Sequence, residues 1–326
     1  MKINFVLQPF FIYKNTGPHT YIKGLIPFLR EKNIKVGIND FNNNYDIIHV
    51  HDILPRSIIL AKLNKGVTVT TTHALPSTMK GMTPNFLDKR WKKYFKIFYN
   101  SFDKVIANSL KSKKEIKKIG VKGGKIEYLR HSINLKEFRP DKKKRDKMRK
   151  KLGIEKDDVV VYCVSRIEPR KGFFEFIKTA NSLPELKFVW FGQFPRLLTP
   201  RFSKINKQIK NKPPNVMFTG VLKDMVSAHN AGDIFFFPSW GESLGLAILE
   251  AAACGKPVLL KNLDDFTMFD FSIKYDSQED CIKKIKRLLN KKYYNHYKKL
   301  SLKKIKKFEM KEHVEGLVEI YEKALK

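Results

Sequence analysis

Short runs of β-branched and aromatic residues alternate with segments of helical spacing along the chain, and the series occurs twice. In the first half the runs are "KINFVLQ" (2–8), "YDIIHVH" (45–51), "VTVTTT" (67–72), "KVIANS" (104–109) and "KIEYLRH" (125–131). Helical patterns lie near 18–33, 56–64, 86–102 and 110–119. A charged, weakly apolar stretch, "NLKEFRPDKKKRDKMRKKLGIEKDD" (134–158), then reads as a connection ending in a solvated helix. Beyond it the pattern restarts with "VVVYCVS" (159–165), "LKFVWFG" (186–192), "NVMFTG" (215–220), "DIFFFPS" (233–239) and "KPVLL" (256–260). Helices fit 172–182, 222–231, 243–254 and 277–291. Short strands alternating with helices imply crossover connections and hence parallel sheets. The near-continuous apolar runs of the second half suit strands covered on both faces. The expected fold class is therefore α/β, with two Rossmann-like doubly wound parallel-sheet domains facing a cleft, over residues 1–135 and 136–305. Residues 306–326 place Phe308, Val314, Leu317, Val318, Tyr321 and Leu325 at helical spacing, and predict a C-terminal helix packing back towards the N-terminal domain.

No apolar run is long enough to span a bilayer. The N-terminal "MKINFVLQPFFIYKNTG" lacks a small-residue cleavage pattern and reads as a first buried strand. Cys163, Cys254 and Cys281 are widely spaced, form no metal-ligand pattern and suit a reducing interior, so a cytoplasmic location is expected. The 65 basic against 32 acidic residues leave a net charge of +33. That excess is compatible with an anionic membrane surface, and so with peripheral attachment. It is also compatible with nucleic acid, or with a Lys- and Asn-rich composition that serves no partner. Nucleic acid is the weakest of these, because no recognised module or concentrated basic stripe is present. In "FLDKRWKKYFKIFYNSF" (86–102), Leu87, Trp91, Tyr94, Phe95, Phe98 and Phe102 share one helical stripe beside Lys89, Arg90, Lys92, Lys93 and Lys96. The stripe fits a core-packed helix with a solvated basic face, or a helix lying at a lipid interface.

Ligands of open parallel sheets bind beyond the carboxyl ends of the strands, so residues just after strands carry the functional weight. In "PSWGESLGLAILEAAACGKPV" (238–258), Glu242 stands at the mouth of a helix expected to begin near Ser243, and Glu250 lies about two turns along it. The unpaired N–H groups of a first helical turn suit phosphate. Gly245 permits a close approach, and paired carboxylates can hold sugar hydroxyls. Taken alone, the spacing equally suits a capping Glu242 and an exposed helical Glu250. In "VSRIEPRKGF" (164–173), Arg166 and Lys171 flank a turn at a strand end and suit a diphosphate. A solvated loop would look the same, and spacing does not fix whether Arg170 or Lys171 points inward. In "VTVTTTHALP" (67–76), His73 follows a strand and can donate to a hydroxyl or phosphate, or be purely structural. His49, His51 and Asp52 lack a convincing third metal ligand, so no metal is expected. In "NTGPHTYIKGLIPFLREK" (15–32), Gly17 lies between strand and helix, and neither a dinucleotide fingerprint nor a phosphate-binding P-loop pattern is present.

In this order the segments resemble the retaining family-four glycosyltransferases (glycosyltransferases group 1) of GT-B fold. "GDIFFFPSWGESLGLAILEAAACGKPV" (232–258) resembles that family's P-S-x-x-E-x-x-G-x-x-x-x-E-A-x-A-x-G-x-P-V segment, and "VSRIEPRKGF" its G-R-L-x-x-x-K-G element. "YDIIHVHD", "THALP", "KVIANSLKSKKEIKKIG", "FTGVLKDMVSAHNAGD" and "VEGLVEIYEKAL" fall in the expected sequence. The resemblance implies a hexosyltransferase-like enzyme that moves a sugar from a nucleotide-sugar, UDP- or GDP-linked, to an acceptor hydroxyl with the anomeric configuration kept. The acceptor would be a glycan, a lipid or lipid-linked molecule, or another small molecule, bound mainly by the N-terminal domain. Beyond that co-substrate it implies no cofactor and no metal. By position, Arg166 and Lys171 would hold the donor diphosphate, Glu250 the ribose hydroxyls, and Glu242 with Ser243, Leu244 and Gly245 the sugar. His73 would lie near the transferred sugar and Gly17 in the loop beneath it.

The chain departs from the family in four places. It has Glu242-Ser243-Leu244-Gly245 for E-G-F-G, "RHSIN" (130–134) for an N-G-V-D-like turn, "TGP" for a double-glycine loop, and "KNLDDFTMFD" after "PVLL" for a glycine-bearing turn. Two other readings follow: a nucleotide-sugar-binding protein of the same fold with weak or no catalysis, and a sugar-nucleotide epimerase.

Overall fold

The computed structural model describes residues 1–7, 17–41, 44–79, 85–197, 199–242 and 245–326. They divide into two compact units, one of Met1–Asn134 with Phe308–Lys326, the other of Leu135–Lys307. In the first unit the order is β1 (Lys2–Val6), α1 (Gly17–Glu31), β2 (Lys35–Ile38), β3 (Ile47–Val50), α2 (Pro55–Leu63), β4 (Val67–Thr71), α3 (Pro76–Met79), α4 (Asp88–Asn100), β5 (Lys104–Ala107), α5 (Leu110–Lys118) and β6 (Ile126–Tyr128). The second unit runs α6 (Lys142–Leu152), β7 (Val160–Val164), α7 (Phe173–Asn181), β8 (Lys187–Phe191), α8 (Phe202–Lys210), β9 (Val216–Gly220) and α9 (Met225–Ala231). It continues with β10 (Ile234–Phe237), α10 (Leu246–Ala253), β11 (Val258–Lys261), β12 (Ile273–Tyr275), α11 (Gln278–Leu288) and α12 (Lys291–Lys304). The last helix, α13 (Met310–Leu325), belongs to the first unit.

Each unit holds a six-stranded sheet, in the orders β2-β1-β3-β4-β5-β6 and β12-β11-β10-β7-β8-β9. All the strand pairs are parallel. The strand order reverses between β1 and β3 in the first sheet and between β7 and β10 in the second. Such reversals open a crevice at the carboxyl ends of the two strands, because the connections leave them on opposite faces.

Local chemistry explains where the helices begin. Asp141 and Asp224 accept the backbone N–H groups of Lys144 and Ser227 and so start α6 and α9, and Ser109 and Ser112 form a capping box at α5. The helix predicted over 243–254 begins at Leu246, after Gly245 in the left-handed conformation (φ +63), so Glu242 precedes the helix and does not cap it.

On one face of the first sheet, Phe95, Phe98 and Tyr99 of α4 and Phe102 just beyond it pack with Val6, Ile48, Val50, Ala61 and Ile116. Trp91 and Tyr94 are partly buried against the same cluster. The aromatic stripe of this helix is therefore core, which corrects the lipid-facing reading of it. What faces water is the opposite side, with Lys89, Arg90, Lys92, Lys93, Lys96 and Ile97.

Phe98→Ala should destabilise the first unit by about 3–5 kcal/mol, the usual cost of truncating a fully buried phenylalanine. Its exposed neighbour allows a control: Ile97→Ala should change stability by no more than about 0.5 kcal/mol. Urea unfolding of both variants checks the assignment, and similar losses would refute it.

Candidate functional site

In the second sheet Ile234 lies opposite Val161 and Phe235 opposite Tyr162, so the segments that leave β7 and β10 emerge side by side at the strand-order reversal. Gly172 lets them touch. Its φ is +78, and a Cβ there would collide with the Pro238 carbonyl. The Trp240 N–H donates to the Arg170 carbonyl at 2.9 Å, and Arg170 Nη1 donates to the Gly241 carbonyl at 2.8 Å. The Lys171 ammonium forms an ion pair with the Glu242 carboxylate, and the Ser239 hydroxyl lies 3.2 Å from the same carboxylate oxygen. Lys171 rather than Arg170 is the cation turned onto Glu242.

Both members of the pair are largely buried, at 11% and 12% side-chain exposure. Burial alone would raise the Glu242 carboxyl, but Lys171 and Arg170 outweigh it and hold the group below its ordinary value. Burial lowers the Lys171 ammonium, and the Glu242 charge opposes that shift. A further acid enters from the loop after β11: Asp265 Oδ2 accepts the Glu242 N–H at 3.1 Å. Arg166 stands apart from the pair, half-exposed, with its Nη1 3.0 Å from Glu168 Oε1. Trp240 is 68% exposed at the mouth, with the Lys261 ammonium 4.5 Å from its ring centroid.

Glu250 is buried on α10, not exposed, and its Oε2 lies 3.0 Å from His229 Nε2. Glu242 and Glu250 are thus both positioned on the second unit, near the β7–β10 reversal. Ser243 and Leu244 lie outside the described residues. Gly17 is the first residue of α1, and the loop before it is likewise outside.

The reversal of the first sheet holds a separate cavity of about 190 Å³, lined by His19, His51, Asp52 and His73 with Leu7 and Ile53 among the apolar walls. His73 follows β4, and its Nε2 lies 2.6 Å from His51 Nδ1. Behind this pair the imidazoles of His49, His131 and His313 pack around Tyr21 and Tyr321. His49 is fully engaged, by the Tyr321 hydroxyl at 2.6 Å and the Thr71 hydroxyl at 2.8 Å. His51 Nε2, His73 Nδ1 and both nitrogens of His131 are buried without a hydrogen-bond partner among the described residues. Burial lowers all five histidines, His73 to about 3 and His313 to about 4.

Sequence reasoning named His49, His51 and His73 singly and missed that they form one array with His131 and His313, as it missed His229 and Asp265. Of the residues missed, His131 and Asp265 carried a sequence signal, since each lies in a segment already noted as a departure from the family.

The chain matches the family model for glycosyl transferases group 1 over residues 144–307 and that for glycosyltransferase family 4 over residues 10–137. It belongs to the group 1 glycosyl transferases, with the GT-B fold. Among relatives, the processive diacylglycerol alpha-glucosyltransferase of Acholeplasma laidlawii is 30% identical over 231 residues, which cover 69% of this chain and 68% of that protein. The alpha-galactosylglucosyldiacylglycerol synthase of Streptococcus pneumoniae is 28% identical over 227 residues, 67% of this chain and 61% of that one. The match to the latter thus spans less than two thirds of its length. Among solved structures, Anabaena HepE in complex with UDP and glucose superposes with a TM-score of 0.82 at 16% identity, covering 99% of this chain and all of that one. Sucrose-phosphate synthase from Thermosynechococcus elongatus gives 0.83 at 17% identity, covering 99% and 98%.

The buried histidines make stability depend on pH in a definite sense. Their folded values lie below the unfolded value of about 6.5, so the unfolded chain binds more protons as pH falls. The stabilisation is fully present above about pH 6.5 and is lost progressively towards pH 4 and 3. The urea midpoint of the first unit should therefore drop between pH 7.5 and 5.5, where few carboxylates titrate. His131→Phe should flatten that slope by up to one proton, about 1.4 kcal/mol per pH unit. A midpoint constant across this interval would contradict the neutral cluster.

Proposed function

We propose that the protein is a retaining glycosyltransferase that moves a sugar from a UDP- or GDP-linked donor to an acceptor hydroxyl. The observation that carries this reading is the buried Lys171–Glu242 pair at the β7–β10 reversal, in a chain of the group 1 family. The donor diphosphate is met by Lys171 and by Arg166, whose exposed guanidinium can leave Glu168 for a bidentate phosphate contact. Cleavage of the sugar–phosphate bond builds negative charge on the leaving diphosphate. A cation held in place and partly desolvated stabilises that charge more strongly than a hydrated one. In this reading the protein's own basic groups supply the stabilisation that a metal ion supplies elsewhere. Glu242, kept ionised, accepts hydroxyls of the transferred sugar, and Glu250 those of the ribose.

The acceptor hydroxyl is assigned to the histidine-lined cavity of the first unit, beside His73. Retention without a protein nucleophile implies attack from the face the diphosphate leaves, through an ion-pair-like state. The two relatives above are named for alpha-linked glycolipid products, which supports both retention and a lipid-linked acceptor.

Arg166→Ala and Lys171→Ala should each lower kcat/KM by about tenfold to a hundredfold or more, the equivalent of one lost charge-assisted hydrogen bond or somewhat more. Lys171→Ala also strands a buried carboxylate, so Arg166→Ala, at an exposed side chain, separates catalysis from folding. Unchanged turnover in both variants, assayed with mixed nucleotide-sugars, would remove these cations from the mechanism.

The same reading puts the enzyme on an anionic bilayer through the basic face of α4, to which exposed Phe86 just before the helix (74% exposed) and Ile97 (57%) add apolar contact. Each lysine near such a surface contributes about 1 kcal/mol. Replacing Lys89, Lys92 and Lys93 together by Gln should weaken partition to anionic vesicles by about two orders of magnitude. Binding that is insensitive to salt, or unchanged in the triple variant, would exclude this surface.

A further inference from the structure

The Glu250 carboxylate is not free to turn. His229, on α9, is fully buried, with Nε2 3.0 Å from Glu250 Oε2 and Nδ1 3.0 Å from the Tyr162 hydroxyl. A carboxylate only accepts, so Nε2 carries a proton. In the neutral ring Nδ1 then accepts, and the hydroxyl of Tyr162 on β7 donates to it. Burial holds the Tyr162 phenol well above its ordinary value, so it keeps its proton for this bond. With one proton on the ring the bonds have one direction: Tyr162 O–H to Nδ1, and Nε2–H to Glu250 Oε2.

The ring is also fixed from its sides, with Phe138 and Phe235 at centroid distances of 6.2 and 5.8 Å. The other Glu250 oxygen, Oε1, makes no hydrogen bond among the described residues, and it is not one of the buried atoms lacking a partner. One oxygen is pinned and the other is offered.

We propose that Tyr162 and His229 are positioning residues for nucleotide recognition. By holding Oε2 they fix Oε1 as the acceptor for the ribose hydroxyls of the donor. The inference rests on the reading of Glu250 as the ribose-binding carboxylate. Its physical basis is pre-organisation: a carboxylate already locked in rotation loses less freedom when it takes up the two hydroxyls.

Calorimetric titration with UDP and GDP, each against its 2′,3′-dideoxy counterpart, tests it on the wild type, Glu250→Gln, His229→Phe and Tyr162→Phe. The wild type should bind the ribonucleotide more tightly. His229→Phe should weaken the ribonucleotide about tenfold and leave the dideoxynucleotide within about twofold. Tyr162→Phe removes one hydroxyl from a core that keeps its ring, and should give the same pattern at about threefold. Equal losses on both nucleotides would mean that the two residues act through the fold at large, and would overturn the inference. Wild-type discrimination retained in both variants but lost in Glu250→Gln would also overturn it while leaving the ribose role of Glu250 standing. No discrimination in the wild type would refute that role and the inference with it.

Discussion

The contact between two loops at the reversal of the second sheet sets the rest of the site. Lys171 and Glu242 are buried together, and neither charge would be tolerated there alone. Removing an ion from water costs several kcal/mol, and the low-dielectric attraction offsets this only at close range with further hydrogen bonds. The backbone meets that demand through Gly172, where no side chain could fit beneath the Pro238 carbonyl. The Trp240–Arg170 and Arg170–Gly241 bonds then bind one loop to the other. Arg166, outside this knot, keeps its exposure and a partner that a stronger anion can displace. The loops thus combine one cation fixed and buried by the fold with one that keeps its exposure to solvent.

Most of the scaffold could be read from the chain, and the parts that could not share a cause. The central strands are buried on both faces and announce themselves as apolar runs, as in "DIFFFPS". The two unpredicted strands, β2 and β12, are sheet edges of four and three residues, too short to produce such a run, and β2 is also largely exposed. Three helices were unpredicted as well: α3 has only four residues, α8 has nine and fully buries only Ile205, and α12 fully buries only Ser301, so each gives a short or weak apolar signal. At the candidate site, the residues legible in the sequence were those that lie in a recognisable local pattern, namely the Arg–Lys turn and the two glutamates. Which cation meets Glu242 depends on how Gly172 turns the chain, and spacing does not encode that.

The contacts that were missed join residues far apart in the chain. His49 meets Tyr321 across 272 positions, and Tyr162 meets His229 across 67. Each is an ordinary core residue in its own segment and becomes informative only when the fold supplies its neighbour. The histidine array illustrates the point. It ties α13 to the floor of the first unit through Tyr321 and through His313 with Tyr21, and it ends at His73 beside the cavity. An imidazole core keeps polar edges next to the cavity, and accepts in return a stability that declines in acid.

The same geometry separates two roles of charge that the net value of +33 leaves merged. At the β7–β10 reversal the basic side chains are nearly balanced: Lys171 by Glu242, Arg166 by Glu168, with Asp265 close behind. The excess lies instead on outer helix faces, such as Lys142, Lys143, Lys147, Lys150 and Lys151 of α6 and Lys291, Lys292, Lys299 and Lys303 of α12, all exposed. Charges spread in this way act at the range of the Debye length, about 8 Å at physiological salt, and favour extended anionic surfaces over a single phosphate ester. A paired cation in a dry loop acts at contact distance and responds to where charge develops on one bound molecule. Under the proposed function, salt should therefore act on encounter with a surface far more than on the buried Lys171–Glu242 pair, because the outer charges are open to screening and that pair is largely not.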